Sequence, residues 1–205
     1  PNAKRYVMVA MQNAGRPLDL GDLTATTTEQ NLDLLTSAWK HYGTHGFFVT
    51  EYLDKYFYST PSRIGASTFL TTFLNLHGFQ VDRVVPIEVL PNGEVKELSA
   101  DTEKWRSVRF NASKDGKQIV LDYLKIDLSN EGFAKSPENL ELIRREVRQP
   151  VLFKAASHLP QNNNFSVIAN EVLKNAPLVV QDETGIKYTA LMDTYNVALY
   201  GKFVV

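Results

Sequence analysis

The chain contains no cysteine among its 205 residues, and this absence excludes several kinds of chemistry. Thiolate catalysis, cysteine-ligated zinc, iron–sulfur clusters and disulfide bonds all need that side chain. The missing cysteines do not fix the compartment, because cysteine-free domains occur on both sides of membranes. The favoured location is the cytoplasm or a virion, with secretion as the alternative. Because the sequence begins at Pro1, we expect a processed N-terminus, from which an initiator methionine or a leader was removed.

The chain also lacks an excess of charge of either sign. It has 22 lysines and arginines against 23 aspartates and glutamates, which gives a net charge of −1. Proteins that bind nucleic acids or membrane surfaces usually carry a marked basic excess. No apolar run approaches the roughly 20 residues that span a bilayer. We therefore expect neither a nucleic-acid partner nor membrane insertion.

Sequence motifs for common catalytic and cofactor sites are missing as well. There is no G-x-x-x-x-G-K-[ST] phosphate loop, no dinucleotide-binding fingerprint, no G-x-S-x-G elbow and no H-E-x-x-H zinc motif. We therefore expect no cofactor, and we favour a protein that is not an enzyme.

The order of periodic segments predicts an α+β fold, with about four helices on one side of a largely antiparallel sheet. The apolar density of Arg5–Met11 predicts a first strand that is buried on both faces. Capping residues and 3.6-residue periodicity predict the helices. These cover Thr28–Tyr42, a segment that begins at Thr60-Pro61, a segment that begins at Ser136-Pro137, and Phe165–Asn175. Phe47–Tyr58 suits either a strand or a helix.

Residues 79–128 switch to a period of two and predict an antiparallel meander. Asn92-Gly93 and Asp115-Gly116 supply hairpin turns, and Pro86 predicts an edge or a bulge in its strand. Further strands are expected at 151–155, 178–181, 186–192 and 196–205. We expect a single domain over residues 1–205, with a weak subdivision near 132–136 as the alternative.

Histidines and acids give few catalytic candidates. His41 and His45 have the spacing of two metal ligands on a helix, with Glu51 and Asp54 downstream, but the intervening Gly43 predicts that the helix has ended. We therefore expect no metal there. His77 and His158 carry no triad pattern, and we interpret His77 as a half-buried residue at the end of a helix.

Asp122 lies within an apolar strand segment. If it is buried, it is a candidate for a catalytic carboxylate. We favour the alternative, in which it faces water. Weak anion-binding candidates are Arg63 at a helix start and the basic cluster Arg144, Arg145 and Arg148.

The C-terminal segment is unusually rich in aromatic and aliphatic residues. A terminal strand of this composition must be covered, by its own domain or by another chain. The predicted interface residues are Tyr195, Val197, Leu199, Tyr200 and Phe203. We therefore expect a non-enzymatic structural or assembly protein that binds copies of itself or other protein subunits, and a component of a virus or phage particle is one concrete form. The alternatives are a small hydrolase with an unrecognised active site and a ligand- or sugar-binding module.

Overall fold

The structure is a computed structural model and describes residues 4–17, 33, 36 and 66–201. The predicted α+β fold class is confirmed. The chain divides into two compact units, Pro1–Asp127 and Leu128–Val205. Each is described below by itself.

The N-terminal unit contains a mixed five-stranded sheet. Its strands are β1 (Arg5–Ala10), β2 (Gln80–Val89), β3 (Val95–Glu97), β4 (Ser107–Lys114) and β5 (Lys117–Lys125), and the helix α1 (Ala66–Leu76) precedes β2. The strand order is β1-β5-β4-β2-β3, with β1 parallel to β5 and every other pair antiparallel.

Both hairpin turns of the predicted meander are confirmed. Asp115 and Gly116 have φ values of 50° and 73° between β4 and β5, and Gly93 has a φ of 75° between β2 and β3. Asp-Gly pairs adopt such positive values in type I′ turns, whose twist matches that of the flanking strands. Local turn chemistry therefore sets the register of the β2–β3 and β4–β5 pairs, whereas β4 pairs with β2 rather than with β3, so the four strands do not follow the predicted meander order.

One face of the sheet forms an apolar core. Val108, Phe110 and Tyr123 alternate onto this face from β4 and β5, and Ala14 packs against them. Leu70 and Leu74 of α1 pack onto the same cluster. The remaining face carries Asp122 and Arg109, which stand opposite each other in the register of β4 and β5.

Two sequence predictions about this sheet were wrong. The first strand is not buried on both faces: among the described residues β1 lies at the edge of the sheet and pairs with β5 alone, and Tyr6 and Met8 are exposed. Pro86 is fully buried, and the register shift lies instead between Val81 and Arg83. The carbonyl of Pro86 accepts from the amide of Leu98, on the side where its missing N–H would point, so the ladder to β4 loses no hydrogen bond.

The C-terminal unit combines helices with a two-stranded parallel sheet. The helices are α2 (Asn130–Lys135), α3 (Pro137–Glu146), α4 (Ser166–Asn175) and α5 (Tyr188–Met192); the strands are β6 (Val151–Phe153) and β7 (Val179–Gln181). Two short 3₁₀ segments, Ala156–Gln161 and Asn163–Phe165, lie between β6 and α4. The predicted third and fourth helices are confirmed by α3 and α4.

Of the predicted C-terminal strands, the one at 178–181 is formed as β7, whereas the one at 186–192 and the described part of the one at 196–205 are not strands. The segment predicted as a strand over 186–192 contains α5, and residues 196–200 have no regular secondary structure. Leu191 is buried while Tyr188 and Met192 are exposed, so the apolar run buries one side of a helical turn rather than the face of a strand. The helix Thr28–Tyr42, the segment Phe47–Tyr58 and the start at Thr60 lie outside the described residues, except Asp33 and Thr36, which are helical.

Candidate functional site

The residues predicted to form an interface at the C-terminus separate into two groups. Val197, Leu199 and Tyr200 are exposed, and Tyr200 is 89% exposed. Tyr195 instead points into its own unit. Phe203 lies outside the described residues.

Tyr195 closes the end of α4. Its hydroxyl lies 3.0 Å from the carbonyl oxygens of Val172 and Ala176 and 3.2 Å from that of Leu173. The last carbonyls of a helix lack partners within the helix, and although Val172 accepts from the amide of Ala176, the single hydroxyl hydrogen of Tyr195 is shared among carbonyls at this helix end. Burial raises the pKa of Tyr195 above its usual value. Tyr195 therefore has a role within the unit, and its predicted role at an interface stays a prediction.

A second exposed apolar surface lies on the sheet β6–β7. Leu152 and Val180 are opposite each other in register, and Leu178 precedes Val180 by two residues and so shares its face. Leu152 is 77% exposed, and Leu178 and Val180 are each 52% exposed. We call these three residues the apolar sheet face. Both strands were predicted from the sequence. Because nearly every position in them is apolar, the sequence pattern did not indicate which face is covered.

The other face of this sheet is occupied within the unit. Val151, Phe153 and Val179 are half-buried. The side-chain amide of Gln181 donates to the carbonyl of Ile186 at 2.8 Å and accepts from its backbone N–H at 2.9 Å. A Cβ atom on Gly185 would lie 2.5 Å from this amide oxygen, so glycine leaves the room that the amide fills. These contacts fix which face of β7 points outward.

An ion pair borders the apolar sheet face. Lys154 follows Leu152 by two residues, Asp182 follows Val180 by two, and their charged atoms are 3.3 Å apart. Burial acts to raise the pKa of Asp182, but hydrogen bonds from the hydroxyl and amide of Thr184, together with Lys154, outweigh it. The pKa of Asp182 is therefore held below its usual value, and the charge on this carboxylate balances that of Lys154.

His158 lies beside the turn that follows β7. Its backbone has a φ of 52°, which is uncommon for a residue with a side chain, and its Nδ1 is 3.1 Å from the carbonyl oxygen of Glu183. The amide nitrogen of Gln161 lies 3.3 Å from the same Nδ1, so the ring tautomer decides whether Nδ1 donates to Glu183 or accepts from Gln161. Gln161 donates to the carbonyls of Glu183 and Gly185 as well. The arrangement ties the 3₁₀ segment to the turn.

The basic cluster on α3 is largely neutralised. Arg144 binds Glu141 at 2.7 Å and Glu171 at 2.9 Å, and these hydrogen bonds raise its pKa. Arg145 lies 3.7 Å from Glu146, and Arg148 is exposed. An anion would have to compete with carboxylates already in place, so the geometry gives the anion-binding prediction little support. Arg63 lies outside the described residues.

Asp122 is fully buried, contrary to the expectation that it faces water. Its two oxygens accept hydrogen bonds from Arg109 and from Arg5 on the opposite neighbour strand. Arg109 also contacts Glu97 at 3.3 Å, and Glu97 binds Arg83 at 3.0 Å. Each of the five strands thus supplies one charged residue to a row across the sheet. The hydrophobic alternation of the strands could not predict this row. Alternation assigns charged residues to an exposed face, whereas guanidinium groups here pair with a carboxylate that is buried.

Both carboxylate oxygens of Asp122 already accept hydrogen bonds from other residues of this charged row. Hydrogen bonds to Asp122 are the main cause that raises the pKa of Arg109, with Glu97 adding to it and burial opposing it. A general base needs a lone pair that is accessible to substrate, whereas both oxygens of Asp122 are engaged by guanidinium groups. The row therefore fits a structural role.

Histidines and acids do not assemble into a metal site in the described part of the chain. No three potential ligands come together there. His77 is exposed just after α1, where a half-buried residue was expected, and its carbonyl accepts from Lys114 at 2.7 Å. His41 and His45 lie outside the described residues, as do Glu51 and Asp54. None of the helices over residues 66–201 has the length and hydropathy needed to cross a membrane.

Comparison with known proteins adds no identity to these observations. No protein-family model, curated protein or solved structure matches the chain. The candidate site therefore depends on its own geometry, namely an exposed apolar surface in the C-terminal unit with a neutral ion pair at its border.

Proposed function

We propose that the chain is a non-enzymatic assembly protein that contacts other protein subunits through the exposed apolar surface of its C-terminal unit. The observation that carries this proposal is where the exposed apolar side chains lie. Eight of the eleven large apolar residues exposed in the described part of the chain fall between residues 152 and 200. They are Leu152, Leu178, Val180, Tyr188, Met192, Val197, Leu199 and Tyr200.

Single exposed apolar residues are ordinary on any protein surface, but a concentration of them is not. Each leucine or valine left in water forgoes roughly 1.5–3 kcal/mol that full burial would give. The segment 197–200 and the apolar sheet face together place five leucines and valines, and Tyr200, at the surface of a unit of 78 residues, 128 to 205. A partner that covers them recovers part of this free energy.

The chemistry of the buried polar groups supports the same proposal. The most buried acid, Asp122, is engaged by two arginines, and the side chains around His158 bind one another and the backbone. These groups contribute to the structure of their own units. A subunit of a virus or phage particle is one concrete form of an assembly protein, and it remains a proposal.

Site-specific photo-crosslinking in the cells that produce the chain tests this function. A photoreactive phenylalanine analogue is placed at Leu152 in one variant and at Tyr200 in another. The matched control carries it at Leu76, which is 72% exposed but lies on α1 of the N-terminal unit. We expect protein adducts from positions 152 and 200 and none from position 76. Absence of adducts from both test positions, or equal adducts from all three, would overturn the proposal.

A further inference from the structure

We propose that Met192 is an oxidation site, at which a peroxide forms methionine sulfoxide and thereby weakens the protein contact proposed above. This inference rests on the proposed function, because it assigns a regulation to the same exposed apolar surface. In the reaction the thioether sulfur gives two electrons to the peroxide and takes one of its oxygen atoms, and hydrogen peroxide leaves as water. Sulfoxide reductases, which draw on thiols, reverse the change.

The sulfur chemistry of this chain is confined to its three methionines. The sequence contains no cysteine, so there is no thiol to react with the peroxide first. Met192 is 55% exposed and Met8 is 43% exposed, whereas Met11 is half-buried. Because oxidation requires that the peroxide reach the sulfur, Met192 and Met8 are the two reactive positions of the free chain.

Met192 differs from Met8 in what surrounds it along the chain. Tyr188 lies four residues before Met192 on α5, so the two share one face of the helix, and both are exposed. The exposed segment 197–200 begins five residues after Met192. Five of the eight exposed large apolar residues of the C-terminal unit thus fall within residues 188–200. Met8 lies on β1 of the N-terminal unit. Oxidation at Met192, unlike oxidation at Met8, therefore alters the proposed contact surface.

The backbone around Met192 is held by other groups. Leu191, its neighbour, is the buried residue of α5. The carbonyl of Leu191 accepts hydrogen bonds from the amides of Thr194 and Tyr195, at 3.0 Å and 2.8 Å. The hydroxyl of Tyr195 is in turn bound at the end of α4. Oxidation of an exposed sulfur beside these contacts is therefore expected to change the surface and to leave the unit folded.

A sulfoxide opposes the burial of the surface that carries it. The thioether of methionine is apolar and adapts to the shape of a partner, whereas the sulfoxide is polar. In the free chain its oxygen is hydrated, so oxidation costs little there. A partner that covers the side chain removes this water, which is unfavourable unless a new hydrogen bond replaces it. We expect the contact to weaken about tenfold, an ordinary effect of one unpaired polar group.

The experiment uses the purified full chain with the photoreactive phenylalanine analogue at Tyr200. The chain is treated with hydrogen peroxide, freed of it, added at limiting concentration to an untreated lysate of the cells that produce it, and irradiated. Because only the added chain is oxidised, a change in adducts originates in that chain. Peptide mass spectrometry is expected to find sulfoxide at Met192 and Met8 before Met11. The adduct yield is expected to fall about tenfold and to recover after treatment with sulfoxide reductases.

Matched variants assign the effect to one sulfur. Met192→Leu keeps the apolar volume but forms no sulfoxide, so peroxide is expected to leave its adduct yield unchanged. Met8→Leu retains Met192 and is expected to lose adducts as the parent does. Met192→Gln carries a permanent polar group and is expected to give few adducts without peroxide. Thermal unfolding midpoints of all these chains, oxidised or not, are expected to agree, which separates a surface effect from a folding defect.

Four outcomes would overturn the inference. The first is a Met192 that stays unoxidised while Met8 reacts. The second is an oxidised parent chain with an undiminished adduct yield. The third is a Met192→Leu chain that loses adducts on oxidation as the parent does. The fourth is a loss of adducts that is accompanied by a lower unfolding midpoint.

The two proposals fail in different ways. Adducts that persist after oxidation would overturn the oxidation site and leave the assembly function standing. Adducts from position 152 with none from position 200 would do the same, because the contact would then exclude the segment next to Met192. Absence of adducts from both positions before any oxidation would remove both proposals.

Discussion

The carboxylate of Asp122 on β5 lies opposite the guanidinium of Arg109 on β4, and two hydrogen bonds join them, 2.6 Å and 2.9 Å long. Arg5 on β1 binds the same carboxylate from the other side at 2.9 Å. A buried anion is thus held between cations from both neighbouring strands, and its removal would leave them facing each other.

The first prediction concerns this carboxylate. Asp122→Asn keeps the shape of the side chain but removes its charge, so Arg5 and Arg109 lose their common counter-ion. We expect the free energy of unfolding to fall by about 3 kcal/mol, the lower part of the range for broken buried pairs, because both arginines reach solvent. Urea denaturation measures the loss.

The control for this prediction is Asp82→Asn on β2. Asp82 accepts a hydrogen bond from Ser113 at an exposed site in the same sheet. We expect a change below about 0.5 kcal/mol there. If the two substitutions lower the free energy of unfolding equally, the row of charged residues stabilises the fold no more than a surface contact does.

The second prediction concerns Tyr195 and the end of α4. Tyr195→Phe removes the donor that three carbonyls share, and we expect a loss of about 1 kcal/mol in stability. Tyr200→Phe makes the same chemical change at a side chain that is 89% exposed, and we expect no measurable loss. Thermal unfolding of both variants makes the comparison, and equal midpoints would show that the hydroxyl of Tyr195 stabilises nothing.

The third prediction concerns Gly185. Gly185→Ala places a Cβ about 2.5 Å from the amide oxygen of Gln181, which must then move and release Ile186. We expect a loss of about 1–3 kcal/mol, typical of overpacking. The control is Gly116→Asn in the β4–β5 turn, where nothing lies within 4 Å and asparagine tolerates the positive φ. A loss no greater than that of the control would mean that the amide adapts without cost.

The fourth prediction concerns acid. The folded-state pKa of Asp182 is depressed, so its contribution to stability is present above the unfolded-state value of about 3.9 and disappears as the pH falls through the folded-state pKa. We expect Asp182→Asn to be less stable than the parent at neutral pH and to match it at strongly acidic pH. Unfolding measured from about pH 2 to 7 tests this. Asp193→Asn, an exposed control, is expected to change little. A gap between Asp182→Asn and the parent that stays constant across this range would contradict the prediction.

Sequence reasoning succeeded where the determining interactions are local. Pro137 begins α3, and Asp115 and Gly116 form the turn between β4 and β5, because the residues that fix these conformations lie within a few positions. The boundaries of α4 follow from the same kind of signal. The α+β class could be predicted from these elements alone.

The sequence did not reveal features that depend on distant pairing. The parallel neighbour of β1 is β5, so nothing near Tyr6 indicates that β1 is an edge strand. The burial of Asp122 depends on Arg5, which is 117 residues away along the chain. The side chain of Leu152 points outward because of tertiary packing. Its strand has only three residues, which is too few for a two-residue alternation to be recognised in the sequence.

The pairing of β1 with β5 also has a consequence for synthesis. Asp122 is translated 117 residues after Arg5, so at 5–20 residues per second β1 waits roughly 6 to 23 seconds for its neighbour. The β4–β5 hairpin forms far faster, in microseconds. During synthesis, β1 therefore joins the sheet only after the β4–β5 hairpin is available to receive it.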